Sequence, residues 1–101
     1  MFELIVGLGN VGEKYINNRH NCGFQVIDYI VNYLNLTLNK DSHTGSFFTK
    51  HTVNNNKVFF LKPNSFMNLS GQAIRKFCNF YKIDTRNILI VHDELDLDIG
   101  V

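Results

Sequence analysis

At 101 residues the chain has room for a single domain, and 45% hydrophobic residues with 13% aromatics supply a core, which excludes a disordered polar tract. A formal net charge of +1 excludes a broad basic field, so any nucleic-acid surface must be local or lie outside this chain. Cys22 and Cys78 show no CxxC or metal-ligand spacing, no apolar run reaches the ~18 residues of a membrane span, and Met1-Phe2-Glu3-Leu4 lacks a basic region ahead of an apolar one. A reduced, cytosolic compartment is expected.

In chain order, Phe2 to Val6 is a short β-branched run that stops at glycines, which predicts a buried strand feeding a loop. From Gly23 the residues Phe24, Ile27, Val31 and Leu34 recur at helical spacing, with Asn21 placed to cap them. Phe47 to Val53 and Val58 to Leu61 predict a hairpin around Asn54-Asn55-Asn56, and Pro63 ends its second strand. Ile74, Phe77, Cys78 and Tyr81 predict a second helix, capped by Asn68 or Ser70, with Asp84 and Asn87 in the loop beyond. Ile88-Leu89-Ile90-Val91 is a strand apolar on both faces. The order β, α, β, β, α, β predicts an α/β fold: a single domain with a central mixed sheet flanked by helices.

Three polar clusters follow strands: Gly7-Leu8-Gly9-Asn10-Val11-Gly12, Asn64 to Gly71, and His92-Asp93. Ligands in open α/β sheets gather beyond the carboxyl ends of strands, so the three can share a site. The first also spells GxGxxG, but the dinucleotide reading requires a helix opening at the third glycine and an acidic ribose ligand about 20 residues on. The chain instead continues Glu13-Lys14-Tyr15-Ile16-Asn17-Asn18-Arg19, and has Ile30-Val31-Asn32 where the acid should be.

Val6-Gly7-Leu8-Gly9-Asn10-Val11-Gly12, then Tyr15 and Arg19-His20-Asn21-Cys22-Gly23-Phe24, resembles the opening signature of the bacterial-type peptidyl-tRNA hydrolases. Lys62-Pro63-Asn64-Ser65-Phe66-Met67-Asn68-Leu69-Ser70-Gly71 is similar to the family's second signature. Val91-His92-Asp93-Glu94-Leu95-Asp96-Leu97, closing with Gly100, is similar to its third. The resemblance covers residues 1–101 as the N-terminal portion of one such domain. The family continues into a glycine-rich segment with a further His-Asn pair and a C-terminal helix with basic residues. Val11, Asn18 and Ser65 depart from the usual proline, threonine and threonine, and none removes a reacting group.

The resemblance implies hydrolysis of the ester between peptide and tRNA in peptidyl-tRNA, recycling tRNA from stalled or aborted translation. It implies His20 as general base toward water, a role that suits an imidazole near neutral pH, with Asp93 orienting it. Asn10 and Asn68 are implied to contact the substrate at the cleavage point, where an amide can donate and accept without adding charge. Tyr15, Phe66 and Met67 would line the cleft for the tRNA end or peptide. No cofactor and no metal is implied, the substrate is the expected partner, no membrane is involved, and a monomer is expected.

Blander readings stand beside these. A lone histidine in a polar loop is ordinarily a surface residue, Asn10 and Asn68 can be a turn former and a helix cap, and Asp93 can simply end a strand. Neighbours along a strand point to opposite faces, so only Asp93 of the His92-Asp93 pair is expected to face the site. Glu94, Asp96 and Asp98 alternate with Leu95, Leu97 and Ile99 as the solvated and buried faces of a strand. Cys22 and Cys78 read as small buried helical residues, and His43 and His51 carry no role. The second functional class is a non-catalytic RNA-binding relative on the same fold. The 101 residues alone are expected to show little or no turnover and to expose strand edges.

Overall fold

The structure is a computed structural model, and it describes residues 2–9, 22–63 and 70–92. Five strands, β1 (Leu4–Gly7), β2 (Asn39–Lys40), β3 (Phe47–Val53), β4 (Asn56–Lys62) and β5 (Ile88–Val91), form one sheet in the order β2-β3-β4-β1-β5. β1 runs parallel to both β4 and β5, while β2-β3 and β3-β4 are antiparallel, giving the mixed sheet expected. Helices α1 (Cys22–Tyr33) and α2 (Ser70–Tyr81) pack on opposite faces.

Strand alternation decides which residue serves which face. Leu4 and Val6 of β1 and Leu61 of β4 point to α2, where they bury Phe77, Cys78 and Ile83. Ile5 and Phe60 point the other way, onto Ile27 and Val31 of α1. Phe48, Phe59, Phe77 and Tyr81 extend the α2-side core as an aromatic cluster, with Phe48 to Phe77 and Phe59 to Phe77 edge-on at 5.5 and 5.6 Å between centroids. Such pairs contribute roughly 0.5–1.5 kcal/mol each beyond their buried area.

Both helices end on a left-handed residue. Asn35 (φ 57°) follows α1, and Leu36 N donates to Val31 O at 2.9 Å; Lys82 (φ 58°) follows α2, and Ile83 N donates to Cys78 O at 2.9 Å. This 6→1 closure satisfies carbonyls the helix would otherwise leave open, and it tucks Leu36 and Ile83 against the two cores.

The hairpin is tighter than its sequence suggests. Asn56 belongs to β4 and pairs with Val53, so only Asn54 (φ 52°) and Asn55 (φ 69°) form the turn. Two consecutive positive φ values match the twist of the flanking strands, and asparagine tolerates them. The expected first strand starts later, at Leu4, and Phe2 is 45% exposed. The two-residue strand β2 and a 3-10 turn at Thr85–Asn87, capped by the Asp84 carboxylate on Arg86 N at 2.9 Å, were not expected. β5 lies at the sheet edge, and there Leu89 is 36% exposed, so one of its apolar faces is only partly covered. Ser70 is the first residue of α2 rather than a cap before it; Asn21 and Asn68, the other expected caps, lie outside the described residues.

Candidate active site

The parallel register brings the carboxyl ends of β1, β4 and β5 level. Gly7 pairs with Val91, Val6 with Leu61, and Leu8 N donates to Val91 O at 2.9 Å, which carries the β1-β5 ladder one residue further. β1, β4 and β5 end at this edge with Gly7, Lys62 and Val91, and α1 begins beside it at Cys22. These are the points from which the three polar clusters continue.

Two glycines seat α1 on that edge. A Cβ at Gly7 would overlap Gly23 O and the Ile27 side chain, and a Cβ at Gly23 would overlap the backbone of Leu8 and the carbonyl of Val91. The first turn of α1 therefore rests directly on the ends of β1 and β5, backbone against backbone. Only residues without a side chain allow this approach.

A charged link crosses the same edge. Lys62, the last residue of β4, puts Nζ 2.8 Å from Asp28 Oδ1 of α1 and 5.2 Å from the centre of the Phe24 ring. The lysine side chain is 19% exposed and the aspartate 49%, so the pair is half-shielded and tethers β4 to the second turn of α1. Its contribution is of the order of 0.2–1 kcal/mol. The link was missed because the two residues lie 34 positions apart.

The expected site residues Asn10, Tyr15, His20, Phe66, Met67, Asn68 and Asp93 lie outside the described residues, as do Glu94, Asp96 and Asp98. Cys22 is half-buried and Cys78 buried, and both are free thiols. His92 is half-buried beside Val91, and His43 rests on Phe80 at 4.2 Å between ring centres. Among the described residues no cluster of three or more His, Cys, Asp or Glu could hold a metal ion.

A mixed sheet with a helix on each face and three parallel strands ending at one edge defines an α/β protein, the class in which ligands gather beyond the carboxyl ends of strands. The chain belongs to the peptidyl-tRNA hydrolase family, whose model matches residues 4–101. The peptidyl-tRNA hydrolase of Clostridium botulinum (strain Eklund 17B / Type B) is 50% identical over 97 residues, covering 96% of this chain and 50% of that protein. That of Clostridium perfringens (strain SM101 / Type A) is 48% identical over the same share of this chain and 51% of its own. The crystal structure of peptidyl-tRNA hydrolase from Acinetobacter baumannii matches with a TM-score of 0.84 at 39% identity, covering 99% of this chain and 51% of that one. The chain thus spans about half the length of the relatives it matches.

Proposed function

We propose that this chain supplies the general base and its partners for hydrolysis of the ester between peptide and tRNA in peptidyl-tRNA, as the N-terminal portion of a longer domain. In this reading His20 takes a proton from water, and the resulting hydroxide attacks the ester carbonyl. The bond from that carbon to the ribose oxygen then breaks, and the proton passes to the leaving hydroxyl. Asp93 orients the imidazole and stabilises its charged form. Asn10 and Asn68 hold the reacting ester, and an amide donor aimed at the developing oxyanion lowers the barrier. Tyr15, Phe66 and Met67 line the cleft, and the protein acts as a cytoplasmic monomer.

The observation that carries this reading is the common edge. Asn10 is one peptide bond beyond Gly9, Asp93 is one beyond His92, and His20 lies two residues before Cys22, whose neighbour Gly23 packs on Leu8 and Val91. Asn68 lies in the short connection from β4 to α2. Family membership supports the same assignment. Among the described residues no helix is long and apolar enough to cross a membrane.

The test joins this chain to the remaining half of the Clostridium botulinum relative and measures peptide release from peptidyl-tRNA. Loss of a general base costs on the order of 10²–10⁴-fold, so His20→Ala is expected to lower release at least a hundredfold while leaving tRNA binding intact. Equal release by both forms refutes the mechanism. The 101 residues by themselves are expected to release little or no peptide.

A further inference from the structure

The near-neutral total conceals a segregated charge. From Ser42 to Ile83 the sequence contains no aspartate or glutamate, but it contains Lys50, Lys57, Lys62, Arg75, Lys76 and Lys82. Lys62 is spent on Asp28 at the α1 face. The other five belong to α2, to the residue just after it, or to the hairpin strands that α2 covers.

On α2 the exposed residues Gln72, Arg75, Lys76, Asn79 and Phe80 recur at the spacing of one helical face, opposite the buried Phe77 and Cys78. This stripe has two cations, two amides and an aromatic ring, and no acid at any i+4 position to neutralise the cations. Ion pairs among the described residues are Lys62 with Asp28 and Arg86 with Asp84, neither of which involves the stripe. Phe80 is 54% exposed, an unusual place for a phenylalanine, and its ring lies against His43. Together with Lys76 and Asn79 the two rings bound a groove of about 450 Å³. A second groove of about 480 Å³, bounded by Tyr81, is lined by Lys50, Lys57, Phe48 and Phe59.

The nearby carboxylates are occupied. Asp41 is 4% exposed and accepts from Thr44 N and Oγ1 at 2.9 and 2.7 Å, Asp84 holds Arg86, and Glu3 accepts from Asn87 Nδ2 at 2.6 Å. The outward stripe of α2 has only cations among its charges, with amides and an exposed ring beside them. That chemistry fits a phosphodiester backbone.

We infer that the outward stripe of α2, led by Arg75 and Lys76 and ending at Phe80 and His43, docks the phosphate backbone of the tRNA body. The inference rests on the reading that the chain acts on peptidyl-tRNA. α2 begins directly after the segment holding Asn68 and spans about 18 Å at 1.5 Å per residue, so a tRNA end held beyond the strands has a cationic track leading away from it.

The test uses this chain and an acceptor-stem RNA duplex, with affinity followed by fluorescence anisotropy between 50 and 200 mM salt. Each lost phosphate contact is expected to flatten the slope of log K against log[salt] by about 1. The Arg75→Ala/Lys76→Ala variant should therefore lose about 2 from the slope and bind roughly tenfold more weakly at low salt. Arg86→Ala, whose cation is already paired with Asp84, should leave both unchanged, and circular dichroism should show the fold intact in each variant. An unchanged slope in the double variant, or no measurable binding by the unsubstituted chain, overturns the inference. His20→Ala is expected to bind like the unsubstituted chain, so a failed hydrolysis mechanism and a failed docking surface give different results. In the joined enzyme, the double variant should raise KM and spare kcat.

Discussion

Gly7 and Gly23 meet with the Gly23 carbonyl lying where a Cβ of Gly7 would be, so the first turn of α1 touches the ends of β1 and β5 backbone to backbone. This contact sets the height of α1's first turn over the edge from which the polar segments leave. Gly23→Ala would drive a methyl group into the backbone of Leu8 and the carbonyl of Val91, neither of which can rotate away. We expect a loss of about 1–3 kcal/mol in denaturant unfolding. In the joined enzyme the same variant should lower peptide release beyond what its fraction folded explains, because α1 can relieve the clash only by lifting from the edge.

The turn between β3 and β4 gives a second prediction. Asn54 holds φ at 52°, a region a β-branched side chain enters only at a cost of roughly 1–2 kcal/mol. Asn54→Val should lower stability by about that amount, read from the urea midpoint. It should leave the unfolding slope unchanged, since the same surface is exposed.

Asp84 titrates unusually. Its carboxylate receives hydrogen bonds from the Arg86 side chain and backbone, which hold its pKa down from the usual 3.8 to about 2. A folded-state pKa below the unfolded one adds stability above the unfolded value, and this is lost as pH falls through the folded one. The Asp84 contribution should therefore be complete above about pH 5 and fade towards pH 2. Carboxyl NMR shifts should show the low midpoint, and Arg86→Ala should return it towards 3.8. An unmoved midpoint in that variant would remove Arg86 as the cause.

The two thiols should react at different rates. Cys78 lies in the α2-side core, where burial first and the charge of Glu3 second push its pKa up, so little thiolate forms at neutral pH. Cys22 is only half-buried. Alkylation of the folded chain followed by mass spectrometry should modify Cys22 first, and Cys78 only as unfolding exposes it. Early labelling of Cys78 would mean that α2 opens without global unfolding.

Helix faces were readable from local spacing, because Ile27 and Val31, or Phe77 and Cys78, face one side wherever the helix docks. The hairpin was readable because its turn is a local event. The two-residue β2 has no period to detect, and the 3-10 turn at Thr85–Asn87 is too short for one. Of the candidate site, the three motifs were legible as patterns of residues, while the structure describes the strand ends and the start of α1 that flank them in sequence.

What the chain alone determined is therefore its longer elements, their inward faces, and the three polar motifs that carry its family resemblance. Tertiary structure decided that β1 lies between β4 and β5, strands far from it in sequence, and that Gly7 and Gly23 meet backbone to backbone. It also decided that Lys62 reaches Asp28, and that the basic residues of an acid-free stretch lie on and beside one helix. Such pairings depend on contacts across the sheet, whose partners are set by global packing rather than by the spacing of neighbouring residues.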